Sequence, residues 1–119
     1  MANVYGVPEI SVTQVAQKRT AGETFILLDV REPAELIMAQ LGDDVVHVPL
    51  SNLVAMREQA LPESIKGDKT AEIVVFCHHG RRSAQVTAWL RQQGWLNTLN
   101  MEGGIAAYAD EVDPTIGFY

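Results

Sequence analysis

The chain has a single cysteine, Cys77. A lone thiol excludes an internal disulfide, a Cys-x-x-Cys redox pair and a cysteine-built zinc ribbon, so any thiol chemistry must run on one sulfur. No apolar run approaches the roughly 18 residues that cross a bilayer. The stretch from Met1 to Glu9 has neither a basic leader nor an apolar segment of the secretory kind. Cations are scarce as well, with 9 Lys and Arg against 15 Asp and Glu and a net charge of −6. Aromatic residues make up only 7% and do not interleave with basic ones, which disfavours nucleic acid and anionic membranes as partners. These absences lead to the expectation of a soluble cytoplasmic protein.

What remains is a chain of 119 residues, 47% of them hydrophobic, enough to bury the core of one domain and too short for two. The whole of 1–119 is therefore read as a single domain. It shows no internal repeat and no low-complexity segment. Ser11-Val12-Thr13-Gln14 has capping-box spacing and opens a helix that ends near Gly22. Residues 25–30 form a nearly continuous apolar run, the pattern of a strand covered on both faces. Pro33 suits the first turn of a helix from Ala34 to about Gln40. Val45 to Val48 reads as a strand ended by Pro49, with Ser51 as the cap of the next helix. Lys66 to Lys69 reads as a polar loop.

Ile73 to Phe76 is a further buried strand. Ser83 to Gln93 is an amphipathic helix stopped by Gly94, with Val86, Trp89 and Leu90 on its core face. Leu96 to Met101 is the last strand, with Trp95 packed beside it, and Ile105 to about Glu111 is a terminal helix. The acidic end with Glu111, Asp113 and Pro114 reads as solvated. Strands alternate with helices throughout, which predicts a small α/β domain with a central, mainly parallel sheet flanked by helices.

In such folds ligands sit beyond the carboxyl ends of the strands. Cys77 directly follows a strand, so it falls at that rim, in the segment Cys77-His78-His79-Gly80-Arg81-Arg82-Ser83. Backbone N–H groups of a tight turn, the positive end of the following helix and the cationic side chains all favour a thiolate, the nucleophilic form of cysteine. A buried cysteine at a strand end is more often a small hydrophobe. Four basic side chains and a glycine within the next six residues are out of place in a core, and the reactive reading prevails. Cysteine phosphatases place five residues between cysteine and arginine. Here Cys77 and Arg82 have only four between them, and the shorter cradle disfavours a full phosphoryl group.

Three segments in order resemble the rhodanese superfamily of sulfurtransferases. They are Leu28-Asp29-Val30-Arg31-Glu32-Pro33, the Cys-x-x-Gly-x-Arg-Ser pattern at Cys77, Gly80, Arg82 and Ser83, and Leu99 to Ile105 with its Gly103-Gly104 pair. The resemblance implies a rhodanese-like domain in which Cys77 takes the outer sulfur of a small anionic donor such as thiosulfate, leaving a persulfide. A thiol, cyanide or a protein persulfide partner would then receive that sulfur. The loop amides from His78 to Arg82 would cradle the sulfur, Arg82 with Arg81 would hold the donor, and no cofactor or metal is implied. Two positions depart from the family. Residues 39–44 replace a Gly-His-Ile-Pro-Gly-Ala stretch, and Tyr108 stands where a Trp is usual.

Among the remaining residues, Asp29 and Arg31 read as structural, with Asp29 the better placed of the two to bond the loop. Ser83 reads first as a helix cap and second as a donor to the sulfur. His47 reads as an ordinary strand residue. Adjacent ligands such as Cys77, His78 and His79 cannot readily face one tetrahedral centre, which argues against a metal there. The rivals to a sulfurtransferase are a persulfide carrier serving a protein partner and, more distantly, a cysteine phosphatase or arsenate reductase. Because the chain has no second cysteine, release of a persulfide needs an external nucleophile.

Overall fold

The most apolar stretch of the sequence, Ile73–Phe76, lies at the middle of the sheet, buried over its whole length. The computed structural model describes residues 3–119. Met1 and Ala2, which begin the stretch read for a leader, lie outside them. The five strands are β1 (Glu9–Ile10), β2 (Ile26–Asp29), β3 (Val45–His47), β4 (Ile73–Phe76) and β5 (Thr98–Met101), in the order β1-β5-β4-β2-β3. All four pairings are parallel, with Leu28 opposite Val75 and Val75 opposite Asn100. The α/β reading with a mainly parallel sheet is therefore correct.

Among the described residues six α-helices accompany them: α1 (Val12–Thr20), α2 (Pro33–Leu36), α3 (Leu50–Met56), α4 (Glu63–Lys66), α5 (Arg81–Gln92) and α6 (Gly104–Glu111). They cover both faces of the sheet, which accounts for the unbroken apolar runs in β2 and β4. Side chains of a strand alternate between its faces, and β4 divides its residues accordingly. Ile73, Val75 and Cys77 join a core with Leu53, Ile65, Leu90 and Trp95, while Val74 and Phe76 join one with Val15, Met101, Ile105 and Tyr108. Trp95 also donates its Nε1–H to the Ile65 carbonyl at 2.9 Å, so its one polar atom is satisfied in the interior.

Ser11 and Gln14 exchange both bonds of the expected capping box. Other boundaries move for identifiable reasons. Helix α2 stops at Leu36 because Ile37 and Met38 have nothing to pack on and stand exposed, and the chain turns to bury Ala39 and Leu41 instead. Pro49, not Ser51, occupies the cap position of α3, and the Ser51 hydroxyl donates to Glu32 at 2.6 Å. The supposed polar loop at Lys66 contains the end of α4, formed because Ile65 has a buried place to fill. Leu96 is exposed and outside β5. Among the described residues no helix is long and apolar enough to cross a membrane.

The carboxyl-terminal residues correct a further expectation. Glu111 and Pro114 are exposed as anticipated, but beyond them the chain makes a 3₁₀ turn, Pro114–Ile116, and doubles back. The Ile116 carbonyl accepts from Gln40, and Gly117, at φ +109°, passes so close to residue 38 that a Cβ would lie 2.3 Å from the Met38 carbonyl oxygen. This path carries Tyr119 over the carboxyl ends of β2 and β4.

Candidate functional site

Strand β2 leads on toward β3 and strand β4 toward β5, so the chain leaves these two neighbours in opposite directions. The crevice beyond their carboxyl ends is where ligands bind in parallel sheets. Two segments meet there, Asp29–Glu35 after β2 and Cys77–Ser83 after β4. The second makes a single tight turn. Gly80, at φ +97°, supplies the left-handed residue that lets it close, and α5 begins at once with Arg81. Ser83 is therefore inside the helix and does not cap it, which corrects the first reading of that residue.

The turn wraps around the sulfur. Cys77 is 1% exposed, and its Sγ accepts from the Gly80 N–H at 3.1 Å and from the Ser83 N–H at 3.4 Å. The Ser83 Oγ lies 3.4 Å from the same sulfur. These donors sit at the amino-terminal end of α5, a helix of 12 residues whose unpaired N–H groups and dipole favour negative charge at this point. Helix α6 holds the turn from behind, with the Ile105 N–H on the Cys77 carbonyl at 2.9 Å and the Ala106 N–H on the His78 carbonyl at 3.0 Å. Asn100 of β5 adds a third tie, donating from Nδ2 to the Gly80 carbonyl at 3.1 Å. Chemically this is a fixed, polarised pocket for one anionic or nucleophilic sulfur.

The charged side chains fall out differently from the sequence expectation. Arg82 is already paired within the protein. Its Nη1 and Nη2 form a two-pronged pair with Glu35 at 2.7 and 2.8 Å, which satisfies the guanidinium within the protein. Arg81 and His79 are exposed, so Arg81 is the loop's outward guanidinium. His78 stacks on Tyr119, ring centres 3.7 Å apart, and donates from Nε2 to the Tyr119 main-chain oxygen at 2.6 Å.

Asp29 does not bond the loop. Its carboxylate takes the Arg31 N–H and the Arg31 guanidinium in a buried pair, 2.8 Å at the shortest. The structural reading of both residues is the one the contacts support. Arg31 passes the connection on, since its Nη1 reaches the Tyr119 hydroxyl at 3.1 Å and that hydroxyl donates to Glu35 at 2.9 Å. Asp29, Arg31, Tyr119, Glu35 and Arg82 thus form one network along the rim. Burial pushes the Tyr119 phenol up, which keeps its proton in place for Glu35. His47 keeps to its expected part, with a ring N–H on the Arg31 carbonyl at 2.7 Å.

Acid will loosen this rim. Arg82 holds the Glu35 carboxyl down to about 2, from an ordinary value of 4.5. The folded form therefore takes up that proton less readily than the unfolded chain. The stability from this group is complete above about 4.5 and is lost as the pH falls toward about 2. Melting temperature measured across this interval will fall more steeply for the wild type than for Glu35→Gln. Parallel curves would show that the pair adds nothing to stability.

With the site described, the comparison with known proteins is direct: residues 11–111 match the family described as the rhodanese-like domain. The chain belongs to that family. It is 34% identical over 103 residues to the Sulfurtransferase of Allochromatium vinosum, covering 87% of this chain and 89% of that protein. It is also 32% identical over 123 residues to the Adenylyltransferase and sulfurtransferase MOCS3-2 of Zea mays, but there 99% of this chain corresponds to only 25% of the larger protein. Among solved structures, the rhodanese-related protein of Thermoplasma volcanium superposes with a TM-score of 0.71 at 30% identity, over 88% of this chain and 93% of that one.

Three residues of this rhodanese-like site were not singled out from the sequence: Glu35, Asn100 and Tyr119. Asn100 did carry a signal, as a polar residue in a strand whose neighbours are apolar, and it is fully buried. Glu35 pairs across 47 positions and Tyr119 packs from the end of the chain. Neither has a local pattern that announces its partner.

Proposed function

We propose that this rhodanese-like protein is a sulfurtransferase that carries sulfane sulfur on Cys77. The observation that carries the reading is the pair of amide donors on Cys77 Sγ, from Gly80 and Ser83, at the start of α5. They stabilise negative charge on the sulfur before and after transfer. In the first step the thiolate attacks the outer sulfur of thiosulfate. A new S–S bond forms, the old one breaks, and sulfite leaves with the bonding pair. The persulfide so formed sits against the loop amides from His78 to Arg82. In the second step cyanide or a thiolate attacks the outer sulfur and departs with it, returning Cys77 to the thiolate. Electrons balance in both steps without a cofactor.

Because Arg82 is paired with Glu35, the reading gives the anionic donor to Arg81, the outward guanidinium of the loop. The pair also weighs against a phosphatase, which needs an arginine directed at the transferred group. Thiocyanate formation from thiosulfate and cyanide tests both assignments. Arg81→Ala will raise the KM for thiosulfate about threefold to tenfold, the range for one exposed ionic contact, with little change in kcat. A lower kcat at unchanged KM would contradict the assignment of the donor to Arg81. No thiocyanate from the wild type with either a small or a protein persulfide donor would overturn the sulfurtransferase reading.

A further inference from the structure

Below the catalytic loop lies a polar cluster that the transfer steps do not use. Asn100 and Ser83 are both fully buried. Asn100 Nδ2 faces two acceptors, Glu9 Oε2 at 2.8 Å and the Gly80 carbonyl at 3.1 Å. An amide nitrogen facing two acceptors fixes which end of the side chain is oxygen, so Asn100 Oδ1 is the atom 2.6 Å from Ser83 Oγ. A serine hydroxyl has one proton to give. Two acceptors compete for it here, Oδ1 at 2.6 Å and Cys77 Sγ at 3.4 Å. The closer oxygen holds it. The lone pairs of Ser83 Oγ are then left toward the sulfur, where they accept a proton from an S–H and repel an S⁻.

We infer that Asn100 is a positioning residue that sets the direction of the Ser83 hydroxyl and withholds its proton from the Cys77 sulfur. While Ser83 donates to Asn100, its Oγ has no proton left for the sulfur. When the hydroxyl swings from Oδ1 to the sulfur it becomes a third donor beside the two amides. Asn100 thus opposes the amides, and the sulfur is activated only when the hydroxyl turns. The role builds on the reading of Cys77 as the nucleophile.

The test follows alkylation of Cys77 by iodoacetamide as a function of pH. In that reaction a C–S bond forms and iodide leaves, and no sulfur transfer is involved. A failure of the sulfurtransferase reading therefore leaves this measurement intact. Arg81 and Arg82 from α5, His78 and His79 from the loop, Glu9 from β1 and Glu35 from α2 surround the site and are kept in every variant. Asn100→Leu removes the acceptor at similar size, and the Gly80 carbonyl keeps its bond from the Ala84 N–H. The rising limb of the alkylation profile will move to lower pH by about one unit, a tenfold change, as expected when one hydroxyl is released to the sulfur. In a Ser83→Ala background the same substitution will produce no shift.

Asn100→Thr, whose side chain ends short of the Oδ1 position and suits a strand, gives the same reading if the leucine variant does not fold. No shift in the wild-type background, a shift to higher pH, or an equal shift without Ser83 would each overturn the role.

Discussion

Cys77→Ser will lose about a thousandfold or more of thiosulfate-dependent thiocyanate formation and will melt close to the wild type. The two expectations have separate causes. Serine oxygen is an acceptor of nearly the same size, so the N–H groups of Gly80 and Ser83 keep a partner and the turn keeps its shape. An oxygen in that place forms no persulfide and is a far weaker nucleophile toward sulfur, so the reaction stops at its first step. Activity assays and thermal melts on the same preparations check the prediction. Substantial transfer by the variant would move the chemistry away from Cys77.

The second large effect falls on a glycine that touches no substrate. Gly104→Ala will destabilise the fold by roughly 2–5 kcal/mol and remove transfer with it. Gly104 sits at φ +65°, and a Cβ there would lie 2.4 Å from the His78 carbonyl oxygen and 2.6 Å from that of Cys77. Both neighbours are main chain and cannot swing aside. These same carbonyls are the ones that accept from Ile105 and Ala106, so the added methyl would push α6 off the loop it anchors. Denaturant unfolding of the variant measures the loss. An unchanged midpoint would mean that the loop and α6 are less tightly joined than their contacts require.

Which parts were legible in the sequence follows from the range of the interactions that form them. The capping box of α1 and the buried run of β4 rest on neighbouring residues, and both emerged as read. The place of Cys77 at the rim followed from the strand before it and the Gly80 turn after it. The same local reasoning misassigned Ser83, because Gly80 in a left-handed conformation ends the turn and starts α5 three residues earlier than a capping serine would. Ser83 is free to face Asn100 for that reason.

Long-range pairs were out of reach. The resemblance implied donor binding by Arg82, and nothing near it in sequence announces its partner Glu35, which lies on α2. Asp29 read as structural but as the better placed of its pair to bond the loop, whereas Arg31, two residues away, occupies its carboxylate. The unpaired charge of the loop is consequently lower in the fold than in the sequence, and its outward guanidinium is Arg81.

The most direct test of the central claim is the intact mass of the protein after brief exposure to thiosulfate, and again after cyanide, with Cys77→Ser beside it. The wild type alone will gain one sulfur atom and lose it to cyanide as thiocyanate. A wild type that gains no sulfur from thiosulfate or from a protein persulfide, or a Cys77→Ser variant that gains it equally, would contradict the assignment of sulfur transfer to Cys77.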